Sequence, residues 1–108
     1  MFPNTLHAGA YAATQHYLKT VRGMGVAEAR RSGQRTVAAM KAMPTDDDAF
    51  GSASIREDGQ MVVPVHLFQV KAPEESRAPG DLLKPVATVP AGEAFRPLSE
   101  GGCPMIRT

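Results

Sequence analysis

The chain has 108 residues, of which 43% are hydrophobic and 21% are charged, and its formal net charge at pH 7 is +1. This length and composition predict one globular domain with a modest core, and they exclude a disordered chain. The near-zero charge disfavours nucleic acid and anionic membranes as partners, because both attract strongly basic surfaces.

The sequence also bears on location. No stretch approaches the roughly 20 apolar residues that a membrane-spanning helix needs. The first residues, MFPNTLHAGAYAATQHY, lack the basic region and the apolar run of a secretory signal peptide. Taken by itself, the sequence therefore predicts a chain without a signal peptide that stays in the cytoplasm.

Two helices are predicted in the first part of the chain. Apolar residues recur at helical spacing over residues 7–22, and Gly23 follows as a helix stop. A second helix is predicted over residues 34–42, where Pro44 ends it because the residue before a proline avoids helical geometry. The segment between them predicts a connection with one or two helical turns, and the aspartate-rich segment 45–51 predicts a polar link.

A β-hairpin is predicted over residues 50–71, FGSASIREDGQMVVPVHLFQVK. A short strand, 52–55, enters a turn in which Asp58 and Gly59 supply backbone freedom, and one long strand, 61–70, leaves it. Both faces of the long strand are largely apolar, which predicts cover on both sides.

The remaining elements offer little of that cover. They are one further strand over residues 85–89 and an irregular tail with a helical turn near residues 93–95. The fold class is therefore α/β, with two helices followed by a β-hairpin, a further strand and an irregular tail, and part of the domain is predicted to be missing.

No pattern in the sequence predicts a metal site, a cofactor or catalysis. The histidines and the single cysteine lack zinc-ligand spacing, and the aspartates lack the register of a calcium loop. Ser52 and Cys103 have no adjacent base to activate them. A packing or surface role is the simpler interpretation of His16, and His66 in mid-strand predicts a hydrogen-bonded core histidine.

Tyr11 leaves two interpretations open. It stands in the first turns of its helix, where a tyrosine ring can line a pocket and free N–H groups suit a carboxylate ligand. It can equally be the aromatic side chain that packs this helix on a sheet, and the residues alone favour packing.

Three stretches together resemble a known family: HAGAYAATQHYLKTVRGMG, VAAMKAMPTDDDAFGSASIREDGQMVVPVHLFQVKAPEES and VATVPAGEAFRPLSEGGCP. They are similar to the C-terminal end of the substrate-binding proteins of ATP-binding-cassette importers, in the leucine/isoleucine/valine-binding-protein-like group with the type I periplasmic binding fold. The most specific part is the helix ending in AMP, the acidic link, the REDGQM turn and the FQVK strand.

The resemblance implies a two-lobed periplasmic protein, about three times longer, that closes on an amino acid or related solute and delivers it to a membrane permease without catalysis. Residues 1–108 would then be a single partial domain, the C-terminal segment of that protein. By location in the family, Asn4, His7 and Tyr11 are the candidate ligand-binding residues. Cys103 would form a disulfide with a cysteine upstream of Met1.

Two rival interpretations remain open. The chain could be a standalone interaction module that forms a homo-oligomer through its exposed sheet face, since exposed apolar strands favour self-association. A small hydrolase that uses Cys103 or Ser52 is the third class.

Overall fold

The computed structural model describes residues 3–104 and 106 of the chain. Three helices are followed by a three-stranded antiparallel sheet in the order β1-β2-β3, and then by a separate two-stranded antiparallel sheet, β4-β5. The elements are α1 Thr5–Met24, α2 Val26–Arg31, α3 Gly33–Ala42, β1 Thr45–Asp47, β2 Gly51–Ile55, β3 Met61–Val62, β4 Val65–Val70, β5 Leu83–Val89 and α4 Ala91–Ala94, with 3-10 turns at Pro73–Glu75 and Leu98–Glu100.

The first helix ends later than predicted. It continues through Gly23 to Met24, and its C-cap is Gly25, whose φ of 88° and ψ of 142° lie in a region that only glycine adopts readily. The Gly25 N–H still donates to the Val21 carbonyl, at 2.8 Å, and so closes the last turn. The predicted helical connection is α2, and the predicted end of α3 at Ala42 is confirmed.

We expect opposite changes in stability when Gly23 and Gly25 are each replaced by alanine. Gly23→Ala removes a flexible residue from a helix where a new Cβ meets no atom within 4 Å. It should therefore raise the free energy of unfolding by about 0.5–1 kcal/mol. Gly25→Ala forces a positive φ on a residue with a Cβ and should destabilise by about 1–3 kcal/mol. Urea unfolding of both variants checks this, and equal shifts would contradict the assigned helix end.

The first part of the predicted polar link, Thr45–Asp47, is strand β1, and residues 48–50 form a turn. Thr45 lies opposite Ala53 and Asp47 lies opposite Gly51 in the antiparallel pair of β1 and β2. The Asp47 carboxylate accepts from the backbone N–H groups of Ala49 and Phe50, both at 2.8 Å, and this local turn reverses the chain.

The predicted long strand is broken. Only Met61 and Val62 pair with β2, so the hairpin is short, and β4 pairs instead with β5. Pro64 lies between the two pieces, where its missing N–H and fixed φ interrupt a strand ladder. The prediction of one strand over 61–70 was therefore wrong, although the hairpin turn lies where the sequence places it.

An ion pair holds the hairpin turn. The Arg56 guanidinium donates to both carboxylate oxygens of Asp58, at 3.0 Å and 2.5 Å, and the Asp58 carboxylate also accepts from the Gln60 N–H. Another Arg56 nitrogen donates to the Arg96 carbonyl at 2.9 Å, so the same arginine fixes the tail to the turn. Hydrogen bonds from Arg56 are the main cause that lowers the pKa of Asp58 from 3.8 to about 2.

This pKa predicts acid sensitivity of the hairpin. Because the folded-state pKa of Asp58 is depressed, its contribution to stability is present above the ordinary carboxyl pKa of about 4 and is lost as pH falls through about 2. Asp58→Asn should remove this part of the acid dependence, measured as urea midpoints from pH 5 to pH 2. Glu57→Gln, the neighbouring carboxylate, is the control and should leave the dependence unchanged.

The core lies between α1, α3 and the three-stranded sheet, and it is small. Five of the described residues are buried, and four of them are polar: Ala12, His16, Thr20, Thr36 and Thr45. The radius of gyration is 17.4 Å, whereas a compact chain of this length has about 13 Å. The accessible surface is 8376 Å², against about 5,800 Å² for a compact monomer of this mass.

Several large apolar side chains contribute to the exposed surface. The β4-β5 sheet exposes side chains on both faces, with Leu67 58% and Val70 72% exposed. A sheet of two strands is marginally stable on its own in water, because it buries little apolar area. The two apolar faces that the sequence predicts to be covered are thus uncovered in this chain.

Candidate functional site

The start of α1 holds the three predicted ligand-binding residues. Asn4 is the N-cap, and its side-chain oxygen accepts from the N–H groups of Leu6 at 3.0 Å and His7 at 3.2 Å. The cap satisfies two of the N–H groups that a helix start leaves free. Asn4 therefore already has a structural role, and those two N–H groups are engaged within the chain.

His7 contacts the cap directly. The Asn4 backbone N–H donates to His7 Nδ1 at 3.2 Å, and with the Asn4 side-chain cap this forms a reciprocal capping box. The same Nδ1 lies 2.8 Å from the Asn4 side-chain oxygen. The His7 ring is exposed, and its Nδ1 is engaged at the helix start.

Tyr11 lies one turn beyond His7 on the same exposed side of α1. Its side chain is 45% exposed, and its hydroxyl accepts a hydrogen bond from the Gln15 side chain at 3.0 Å. Asn4 and His7 contact each other, while Tyr11 makes no hydrogen bond to either. The three residues form a polar, open strip along one helix, which we call the α1 strip.

A groove lies beside the first turns of α1. It has a volume of about 480 Å³ between that helix, the turn after β1 and the start of β4. Its walls are mostly apolar, and its polar groups include the His66 ring, whose Nδ1 lies 2.9 Å from the Thr88 hydroxyl. Its lining includes Thr5, Ala8, Phe50, Val65, His66 and Phe68.

The two other histidines lie in different environments, His16 in the core and His66 on the surface. His16 is 4% exposed, and its Nε2 donates to the Met40 carbonyl at 2.8 Å, so it is a hydrogen-bonded core residue. His66 is exposed, and its hydrogen bond runs across the β4-β5 sheet to Thr88. The prediction that His66 is a core histidine was therefore wrong, and the packing role suggested for His16 is confirmed.

The loop between β4 and β5 carries ion pairs that sequence reasoning missed. Lys71 pairs with Asp81 at 2.6 Å, and Lys84 pairs with Glu75 at 2.5 Å. Hydrogen bonds from these lysines lower the pKa of both carboxyls below the usual values. The alternating charges in KAPEESRAPGDLLK are the sequence pattern that could have indicated these ion pairs. These pairs order the loop and leave the surrounding surface without a large net charge.

Residues 3–104 and 106 contain no group of three or more His, Cys, Asp or Glu side chains placed to hold a metal ion. Within that part of the chain, no helix is both long and apolar enough to cross a membrane. Ser52 lies in β2 opposite Asp46, and Cys103 is half-buried in the tail. Neither side chain makes a hydrogen bond to a histidine among the described residues.

Comparison with known proteins identifies the family. The family model described as periplasmic binding protein matches residues 1–77. A crystal structure of a periplasmic binding protein from Burkholderia mallei is 34% identical, with a TM-score of 0.86 over 99% of this chain and 27% of that chain. A branched chain amino acid ABC transporter periplasmic ligand-binding protein from Burkholderia xenovorans LB400 is 31% identical, with a TM-score of 0.84 over 97% of this chain and 27% of that one.

The chain belongs to the periplasmic binding protein family. It spans about a quarter of the length of the two solved structures. A search of curated proteins finds no significant match. The predicted α/β class and the resemblance to one part of a periplasmic-binding-protein fold are confirmed. Members of this family are periplasmic binding proteins, and the Burkholderia xenovorans neighbour is described as a ligand-binding protein.

Proposed function

We propose that the chain is the C-terminal segment of the solute-binding component of a branched-chain amino acid type ABC importer, and that it has no catalytic activity. The similarity to the Burkholderia xenovorans protein over 97% of this chain is the observation that carries the proposal. In the complete, periplasmic protein, the solute is an amino acid or a related organic acid or amide. The partner that receives it is the ABC permease.

The exposed apolar surface supports this proposal. The chain exposes roughly 2,600 Å² more than a compact monomer of its mass, and both faces of the β4-β5 sheet contribute to it. An excess of this size is comparable to the area buried in a stable protein interface. The remainder of a binding protein, nearly three times as long as this chain, would cover it.

Solute binding is then a property of the complete protein. Calorimetric titration of the 108-residue chain with leucine, isoleucine and valine should give no binding heat, because the chain supplies only one side of a cleft. Clear micromolar binding of any of the three by this chain would overturn the proposal.

Within the complete protein, we assign ligand contact to the α1 strip, Asn4, His7 and Tyr11. Its side chains are exposed in this chain and present a hydroxyl, an imidazole and an amide on one side of a helix. The test uses a hybrid protein, in which these 108 residues replace the matching segment of the Burkholderia xenovorans protein.

Tyr11→Phe should weaken solute binding by the hybrid protein by about tenfold, since one hydrogen bond to a charged ligand group is lost. Tyr17→Phe is the matched control, because Tyr17 lies on the same helix, is exposed to a similar extent and is not part of the α1 strip. Equal effects of the two substitutions would remove Tyr11 from the site.

The alternative is a homo-oligomeric module. The exposed β4-β5 sheet supports it, because strand β4 carries no charged residue to oppose pairing with a second copy. Light scattering separates the two proposals: a well-defined dimer supports the module, and a monomer or a non-specific aggregate supports the segment of a larger binding protein.

A further inference from the structure

The outer edge of strand β4 has no neighbouring strand among the described residues. β4 pairs with β5 along its inner edge only, and the two strands form a sheet of their own. All six residues of β4 are exposed. An exposed strand edge presents backbone N–H and C=O groups that can pair with another strand. The outer edge of β4 is therefore open to strand addition.

The register of the hairpin shows which backbone groups point outward. The Lys71 N–H donates to the Leu82 carbonyl at 2.9 Å, and Val70 lies opposite Leu83 next to this bond. In an antiparallel ladder, hydrogen-bonded and non-hydrogen-bonded pairs alternate, and residues of the second kind direct their own N–H and C=O away from the partner strand. Val70 is of the second kind, and so is Phe68, two residues earlier. Both residues therefore present their backbone groups at the outer edge of β4.

The outer edge of β5 is blocked, in contrast to that of β4. Pro85 lies opposite Phe68, at a position whose N–H would point outward, and proline has no N–H. Val86, the next residue, has no opposite residue, because the register shifts there. Prolines and bulges are both features that keep a strand edge from pairing with another chain. Strand β4, VHLFQV, has no proline and no charged residue. Only one edge of this hairpin is thus suited to strand addition.

Both faces of the hairpin also bear on what occupies this edge. Leu67 and Val70 lie on opposite faces of β4 and are 58% and 72% exposed. A second copy that pairs edge to edge would continue the sheet in its own plane and leave both apolar faces in water. In the Burkholderia mallei protein, the segment that matches this chain is 27% of the polypeptide. The rest of a binding protein is therefore large enough to supply both a strand and a cover for the two faces.

We propose that a strand from the rest of the binding protein adds to the outer edge of β4 and extends the β4-β5 hairpin into a larger sheet. Its backbone forms hydrogen bonds with the N–H and C=O groups of Phe68 and Val70. The strand β5, with Pro85 on its outer side, is then the last strand of that sheet. This inference rests on the proposed function and names the edge at which the rest of the protein joins this chain.

Hydrogen exchange at single backbone amides tests this assignment. In the hybrid protein, the amides of Phe68 and Val70 should exchange about a hundredfold more slowly than in the 108-residue chain, because strand pairing protects an amide until the sheet opens. Leu83 is the matched control, since its N–H points outward on the other edge of the same hairpin. Its amide should remain rapidly exchanging in both proteins.

Proline substitutions at the two outer edges provide a second test. Val70→Pro and Leu83→Pro each remove one outward N–H at directly opposite positions. In the hybrid, Val70→Pro should lower the urea midpoint more than Leu83→Pro does, and in the 108-residue chain the two should lower it equally. Val70→Ala and Leu83→Ala correct for the lost side chains. Equal effects of the two prolines in the hybrid, after this correction, would count against the proposal.

The outcomes separate this inference from the proposed function. Rapid exchange of Phe68 and Val70 in a hybrid that binds its solute would overturn the strand addition and leave the proposed function standing. Protected amides in a folded hybrid that binds no solute would support the strand addition and contradict the proposed function. Protection that appears in the 108-residue chain alone and rises with its concentration would assign the edge to a second copy and overturn the proposal. If the hybrid does not fold, exchange at the matching residues of the parent Burkholderia xenovorans protein decides in the same way.

Discussion

Leu67→Asp should have almost no effect on this chain alone and a large effect on the hybrid protein. In the chain alone Leu67 is 58% exposed, so the substitution should change the free energy of unfolding by no more than about 0.5 kcal/mol. If the rest of a binding protein covers the β4-β5 sheet, the same substitution buries an unpaired carboxylate and should cost about 3 kcal/mol or more.

Urea unfolding of the four proteins, chain and hybrid with and without Leu67→Asp, measures this difference. Gln69→Asp is the matched control, because Gln69 is the polar residue two positions along β4, and it should cost less than Leu67→Asp in the hybrid. A large cost in the chain alone would show that the chain covers this face by itself, for example by forming a dimer.

His16→Ala should be among the most destabilising single substitutions in the chain. It removes one of the few buried side chains, leaves the Met40 carbonyl of α3 without its donor and enlarges a half-open pocket between α1, α3 and the three-stranded sheet. Together these losses should cost about 3 kcal/mol in the free energy of unfolding, measured by urea denaturation.

His66→Ala is the control for His16→Ala. The His66 ring is exposed, and its hydrogen bond to Thr88 lies on the surface, so its loss should cost no more than about 1 kcal/mol. Equal costs for the two histidines would contradict the assignment of His16, and not His66, to the core.

The two histidines also show why part of this fold cannot be predicted from sequence. Each stands in an apolar pattern, and nothing local distinguishes them. His16 is buried because its ring meets the Met40 carbonyl, 24 residues along the chain, when α1 packs against α3. This packing is a tertiary contact, so no local motif could indicate it.

Sequence patterns predicted correctly those helix ends and turns that nearby residues determine. Pro44 ends α3 through the geometry of the preceding residue, and Asp58 with Gly59 forms the turn of the hairpin. Pro64 was also a visible signal, but the apolar run around it outweighed it and led to the wrong prediction of one long strand. The strand at Thr45 had no such signal, because its pairing with β2 is a tertiary contact.

For the candidate site, the sequence located the start of α1 through its resemblance to a family and not through a motif. Asn4 carries a helix-cap signal of its own, which explains its contacts in this chain. Contact between Asn4 and a solute is part of the proposed function of a complete binding protein, and the helix-cap signal does not predict it.

Calorimetric titration of the hybrid protein is the most direct test of the central claim, that this chain is one segment of a solute-binding protein. The hybrid should bind whichever of leucine, isoleucine and valine the parent Burkholderia xenovorans protein binds, with an affinity within about tenfold of the parent's. A hybrid that folds, by its circular dichroism and cooperative unfolding, yet binds none of the solutes that the parent binds would contradict it.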